Sequence, residues 1–291
     1  AAVSANNYLL VQALLKAGAD PNVTDDMGRT GLMLLGSAAD VDDTEGYMAD
    51  LFFEYKADPN IKDMNGRTAL NHAIIQDRLG LIQELIVAKA DVNSLDNRGN
   101  PPLEEVHIGT REGYMITKLL INSGADVNIG LDHPRNPFDN AIYYAPSALL
   151  TLYSLVNAGI RSTPKLNDPR YAAVKTYISV LKKEIIGKPA AQLFEAMIDQ
   201  RRTVFVELLA KTVISDSVRN YLYMANLGGE YSATISNALM TSGAADNFVF
   251  IDPDGNYKTL CGGLTLILTV SQLLDARRRG NVAATDNVQR P

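Results

Sequence analysis

The sequence predicts an all-α array of repeated helical hairpins, followed by a mostly helical C-terminal unit that carries one small β-hairpin. Three observations lead there. The pattern Ala-Asp-x-Asn recurs at residues 19–22, 57–60, 90–93 and 125–128, with its Asp spaced 38, 33 and 35 residues apart, the signature of stacked supersecondary units. Gly28, Gly66 and Gly99 hold equivalent places within those units. Beyond residue 160 the recurrence stops and helical spacing continues, until residues 247–259 change to the period of strands.

Residues 63–93 carry one complete unit. Gly66, Thr68, Leu70, Ala73, Gly80, Leu85 and the closing Ala90-Asp91-Val92-Asn93 resemble an ankyrin repeat. The resemblance covers about residues 1–160. It implies a solenoid of helix-turn-helix units with hairpin fingers, in which finger tips and inner helices line a concave surface that holds protein partners. The domain organisation expected is ankyrin repeats over 1–162, a helical C-terminal domain over 163–279 and a disordered tail over 280–291. Whether the C-terminal domain includes degenerate repeats is left open by its sequence.

In chain order, residues 1–22 match the repeat only from the end of its first helix, which predicts a further repeat or cap upstream. A turn at 25–28 leads to an inner helix over 30–35. The extra length of the first step falls in the acidic stretch 37–46, before an outer helix over 47–55. Lys56 and Lys89 stand where a helix C-cap favours glycine in the left-handed region. Pro101-Pro102-Leu103 opens the third inner helix, and residues 136–141 open the fourth. The family's His at the inner-helix start is replaced by Met33, Asn71, Glu104 and Asp139, which predicts a divergent and less rigid array. Asp168 as N-cap, Pro169 at N1 and Gly187 frame a long helix. Helices are expected over 190–199, 204–213, 216–227 and 231–240, a hairpin over 248–260, and an apolar helix over 264–278.

Composition narrows the functions available. Hydrophobic residues make up 46% and charged residues 21%, enough to build a core throughout. A net charge of −6 and a pI near 5.1 argue against a broad nucleic-acid footprint; Arg277-Arg278-Arg279 reads instead as the cationic end of a helix. No apolar run approaches the roughly 20 residues of a membrane helix. One cysteine excludes an internal disulfide, and the dispersed His72, His107 and His133 form no metal motif. There is no phosphate loop and no cofactor motif, so none is expected to bind. Glu104-Glu105, adjacent on a helix, is expected to be a solvated face.

Two functions remain. The first is protein–protein interaction through the concave surface, adaptor- or effector-like, with a partner that has a basic rim. The contact residues expected are Asp26 and Met27, Met64 and Asn65, Asn97 and Arg98, and Asp132 and His133, where Met supplies adaptable apolar contact. Asp25, Asp63 and Asp96, at one repeated position, are expected to close Asx turns inside each finger. The two-part plan resembles ankyrin proteins that intracellular bacteria deliver into host cells, which implies a cytoplasmic or host-delivered location. The second function is an ankyrin-targeted cysteine hydrolase. Cys261 precedes Gly262-Gly263 and the helix expected at 264, where a helix dipole activates a thiolate. Asp254-Gly255-Asn256 resembles the D-G-N before the nucleophile of ovarian-tumour-type deubiquitinases, but Tyr257 follows it and every histidine lies in the repeat half. A buried small hydrophobe is the competing role for Cys261.

Overall fold

The computed structural model describes residues 2–36, 44–144, 148–198, 202–215, 218–219, 222, 248–251, 257–261 and 264–267. The chain divides into two compact units, Ala1–His107 with Arg111–Pro137, and Ile108–Thr110 with the chain from Phe138 onward.

The first unit alternates short inner and longer outer helices: α1 (Tyr8–Lys16), α2 (Gly31–Gly36), α3 (Thr44–Glu54), α4 (Ala69–Ile75), α5 (Leu79–Val87) and α6 (Arg111–Asn122). Inner α2 packs on inner α4, while α3 packs on α5 and α5 on α6. Leu32, Met33, Leu35, Leu70, Ile74, Leu81, Ile82 and Leu85 are all within 1% of complete burial. Each such side chain contributes about 1.5–3 kcal/mol of transfer free energy. Gly36 lets the inner helices approach, for a Cβ there would lie 2.9 Å from the Ala73 backbone nitrogen.

Two expectations on this unit change. Helix α3 starts at Thr44, inside the stretch read as loop; residues 37–43 lie outside the described residues. The third inner helix is only a 3-10 turn, Pro102–Glu105. Pro101 and Pro102 supply no N–H, the Glu104 N–H closes on the Pro101 carbonyl at 3.0 Å, and Val106 already runs extended at φ −70°, ψ 133°.

The recurring Asn has a structural role that the repeat pattern alone did not disclose. Asn22, Asn60 and Asn93 each reach into the next repeat. Their Oδ1 accepts from the N–H of Asp58, Asp91 and Asp126 at 2.7–2.8 Å, and their Nδ2 donates to the carbonyls of Lys56, Lys89 and Gly124 at 3.0–3.5 Å. The Asp of each motif folds its own loop: the Oδ1 of Asp20, Asp58, Asp91 and Asp126 accepts from the N–H two residues on at 2.8–2.9 Å. Lys56 (φ 65°) and Lys89 (φ 66°) occupy the left-handed region expected of them. Their N–H donate to the Phe53 and Ile86 carbonyls, and the following Ala57 and Ala90 N–H reach Phe52 and Leu85. This is the helix ending that glycine makes without strain.

The second unit begins with α7 (Pro137–Tyr143) and α8 (Leu149–Asn157), and α8 is followed by Gly159 at φ 85°. The Asp168 carboxylate accepts from the Arg170 N–H at 2.9 Å, capping a 3-10 turn at Pro169–Tyr171. That turn runs into α9 (Ala172–Val180) and a wider π turn at Leu181–Ile185. Helices α10 (Ala190–Ile198) and α11 (Arg202–Lys211) pack together, with Leu193, Phe194, Met197 and Phe205 fully buried. The Tyr153 ring stacks on Phe194 at 4.3 Å and its hydroxyl donates to Glu195 at 2.9 Å.

Strands β1 (Phe248–Ile251), β2 (Tyr257–Cys261) and β3 (Leu264–Ile267) follow as an antiparallel meander. Residues 264–267 are thus a strand and not the start of the helix expected over 264–278; a short apolar run fits either element, and pairing with β2 decides it. Residues 268–278 lie outside the described residues. So do most of 216–227, all of 231–240 and the tail 280–291.

Removing the inter-repeat amide should weaken the array. Asn60→Ala is expected to cost about 1 kcal/mol, because the Asp91 N–H and Lys89 carbonyl lose their protein partner but keep access to water. Lys56→Gly should stabilise by up to about 1 kcal/mol, relief of left-handed strain exceeding the added unfolded-state entropy. Urea midpoints of the full chain check both signs.

Candidate protein-binding surface

Each finger is a tight hairpin closed by the Asp at its base. The Asp25 N–H donates to the Arg29 carbonyl at 3.0 Å, the Gly28 N–H donates to the Asp25 carbonyl at 2.8 Å, and Asp25 Oδ1 accepts from the Met27 and Arg29 N–H at 2.9 Å. Asp63 repeats this with Asn65, Gly66 and Arg67, and Asp96 with Arg98, Gly99 and Asn100. These are Asx turns, so the three carboxylates are occupied within the fingers. Finger joins finger through the backbone. The Met64 N–H donates to the Met27 carbonyl at 3.0 Å, and the Asn97 N–H to the Asn65 carbonyl at 2.9 Å. Gly66, at φ 77°, is needed here: a Cβ would fall 2.6 Å from the Asn97 nitrogen.

This geometry sorts the expected contact residues. Asp26, Met27, Met64, Asn65, Asn97, Arg98 and Asp132 are exposed, Met27 to 51% and Met64 to 65%. His133 is half-buried, its Nδ1 3.0 Å from Glu104 Oε1. Glu104 and Glu105 are not the solvated face expected of them. The Glu104 carboxylate is only 4% exposed against His133, and Glu105 Oε1 accepts from Arg67 at 2.6 Å. The short inner turn puts each opposite a basic group from another repeat, relations across 29 and 38 residues that adjacency in sequence hides.

Beneath the tips lies a line of polar ties. His72 Nε2 sits 3.0 Å from Asp63 Oδ2. At the family's His position Asn71, fully buried, accepts from the Thr68 N–H at 3.1 Å and its hydroxyl at 3.0 Å. Burial pushes the Asp63 carboxyl up, but the Arg67 N–H, the His72 ring and the Asn65 N–H outweigh it and hold it below the usual carboxylate range. Glu104 goes the other way. Burial raises it, His133 opposes the rise, and Asp96 and Glu105 add to it. Residues 1–160 carry 11 Lys and Arg against 21 Asp and Glu, so the repeat half holds the chain's negative charge. An open apolar hollow of about 320 Å³ lies beside α1, lined by Val3, Val11, Leu14, Leu15, Leu34 and Phe52.

Cys261 is the last residue of β2, opposite Leu264 of β3. The helix N-terminus that would have activated its thiol is replaced there by a strand. Among the described residues no three His, Cys, Asp or Glu side chains converge as metal ligands, and no helix is long and apolar enough to cross a membrane.

Asp63→Asn keeps an oxygen for the Asn65 and Arg67 N–H but removes the charge beside His72. A carboxyl held low in the fold stabilises above its unfolded value of ~3.9 and loses that contribution as pH falls through the folded value. The variant should therefore be about 1 kcal/mol less stable at pH 7 and lose less stability than the parent between pH 4 and pH 2. Urea midpoints across that range measure the difference.

Comparison with known families agrees with this geometry. A model of three ankyrin-repeat copies matches residues 35–130, and a single ankyrin-repeat model matches residues 1–26. No curated protein matches the chain. Residues 1–26 and 35–130 of this chain are ankyrin repeats.

Proposed function

We propose that the chain is an adaptor- or effector-like interaction module that captures a protein partner with a basic rim on its finger tips. One observation carries this reading. Met27 and Met64, both largely exposed, stand on adjacent fingers welded by a 3.0 Å backbone hydrogen bond. Asp26 beside Met27, and Asp132 on the fourth finger, are exposed in an array with nearly twice as many acidic as basic residues. Unbranched thioethers on a fixed frame supply adaptable apolar contact, and the surrounding carboxylates select cationic neighbours and speed encounter. Ankyrin repeats are generally protein-interaction modules, which supports the coarser part of the reading.

A random-peptide display selection against the full chain should return ligands in which Lys or Arg flanks an apolar side chain. Asp26→Lys combined with Asp132→Lys should weaken them about tenfold, chiefly by slowing association, and flatten the salt dependence. Met27→Ser with Met64→Ser should also cost about tenfold or more, through faster dissociation. Affinities unchanged in both double variants would remove the tips from the binding surface.

A further inference from the structure

We propose that Met27 and Met64 form a reversible oxidation site, and that their conversion to sulfoxides by a hydroperoxide switches off the apolar contact of the finger tips. The effect on binding rests on the function proposed above; the chemistry does not. The methionines divide by burial. Met33, Met48 and Met197 lie within 1% of complete burial, closed to a dissolved oxidant, whereas Met27, Met64 and Met115 are exposed. Met224 and Met240 lie outside the described residues. Of the exposed three, Met115 stands on α6, while Met27 and Met64 stand on neighbouring fingers joined through their own main chains. A soluble oxidant therefore finds two thioethers at adjoining tips of the surface assigned to the partner.

Oxidation there leaves the frame intact. The Met27 N–H donates to Asp25 Oδ1 at 2.9 Å, the Met64 N–H to the Met27 carbonyl at 3.0 Å, and Asn97 Nδ2 to the Met64 carbonyl at 2.8 Å. None of these bonds uses a sulfur. A sulfoxide at Met33 or Met48 would put a polar oxygen into the core at a desolvation cost. At the tips the same change alters only what a partner meets, a flexible apolar chain becoming a polar and chiral one. In the step itself the sulfur lone pair attacks one peroxide oxygen and the O–O bond breaks. The transferred oxygen gives its proton to the departing one, which leaves as water from hydrogen peroxide. Sulfur loses two electrons and the peroxide gains them. Two thiols reverse the step through the reductases specific for each sulfoxide epimer, forming a disulfide and taking the oxygen off as water.

Treatment of the full chain with millimolar hydrogen peroxide at neutral pH, followed by mass spectrometry of its proteolytic fragments, reads the site without any partner. Sulfoxides at Met27 and Met64 should form at least about tenfold faster than at Met33, Met48 and Met197, with the urea midpoint unchanged until both tips are converted. Peptides from the display selection should then bind about tenfold more weakly, through faster dissociation, and regain their affinity once the reductases have acted. Met27→Leu combined with Met64→Leu keeps the tips apolar without an oxidisable sulfur, and its affinity should be the same before and after peroxide; Met115 still oxidises in that variant and is the internal control. Core methionines oxidised as fast as the tips, or a urea midpoint that falls while only the tips are oxidised, would overturn the site. An affinity indifferent to tip oxidation, or one that falls equally in the leucine pair, would overturn the switch. Display ligands that ignore the tips altogether would instead remove the function proposed above, while the oxidation pattern still decides the site.

Discussion

A solenoid repeat touches only its neighbours, so the interface between one repeat and the next must itself be specified. Here that falls to one side-chain amide per repeat. Asn22, Asn60 and Asn93 each use both ends of the amide on the main chain of the following loop, next to a residue in the left-handed region. A carboxylate could not donate and a hydroxyl could not span both groups, which is why the position is Asn. The clamp also explains how repeats of unequal length share one lattice. The extra residues of the first step lie at 37–46, between an inner and an outer helix, and the amide geometry is the same on either side of them.

That clamp divides labour among the acidic residues. Asp25, Asp63 and Asp96 fold the fingers, and Asp20, Asp58, Asp91 and Asp126 fold the loops that the amides grip. Both sets are committed to the fold through hydrogen bonds to backbone N–H groups. One residue further along, Asp26, Met64 and Asn97 face solvent on a frame already fixed by backbone bonds. Asp26 and Met64 can therefore vary without cost to the frame, whereas the Asn97 side chain also belongs to it, its Nδ2 donating to the Met64 carbonyl at 2.8 Å.

The repeat half was legible because its signals are backbone chemistry at fixed spacing: Gly at positive φ, Asp accepting two residues on, a helix ending before Ala-Asp-x-Asn. Less was legible where contacts bridge repeats. Glu104 and Glu105 read as a solvated pair because nothing local announces His133 or Arg67 opposite them. The third inner helix shrank to a 3-10 turn because two successive prolines satisfy the start of a helix without committing the backbone to continue it. The run at 264–267 was ambiguous between strand and helix for want of length, and only its pairing with 258–261 decides it. A strand at 264–267 removes the helix dipole from the case for an activated Cys261, which rested on that dipole together with the backbone N–H groups of the glycines that follow in sequence.

The links between repeats also differ in kind along the array. A backbone bond such as Asn97 N–H to the Asn65 carbonyl is indifferent to pH in the physiological range, because neither group titrates. At the fourth finger a side-chain contact, His133 Nδ1 to Glu104 Oε1 at 3.0 Å, reaches back to the third repeat beside the Asn93 clamp. Its carboxylate sits among like charges that raise the cost of ionisation, so a neighbouring donor is required for Glu104 to be buried at all. In a one-dimensional array a change at one interface is not averaged over a common core, as it would be in a globular domain; it acts on the adjoining repeat alone. A substitution at one link can therefore act on the edge that link supports while the amide clamps of the other repeats stay as they are.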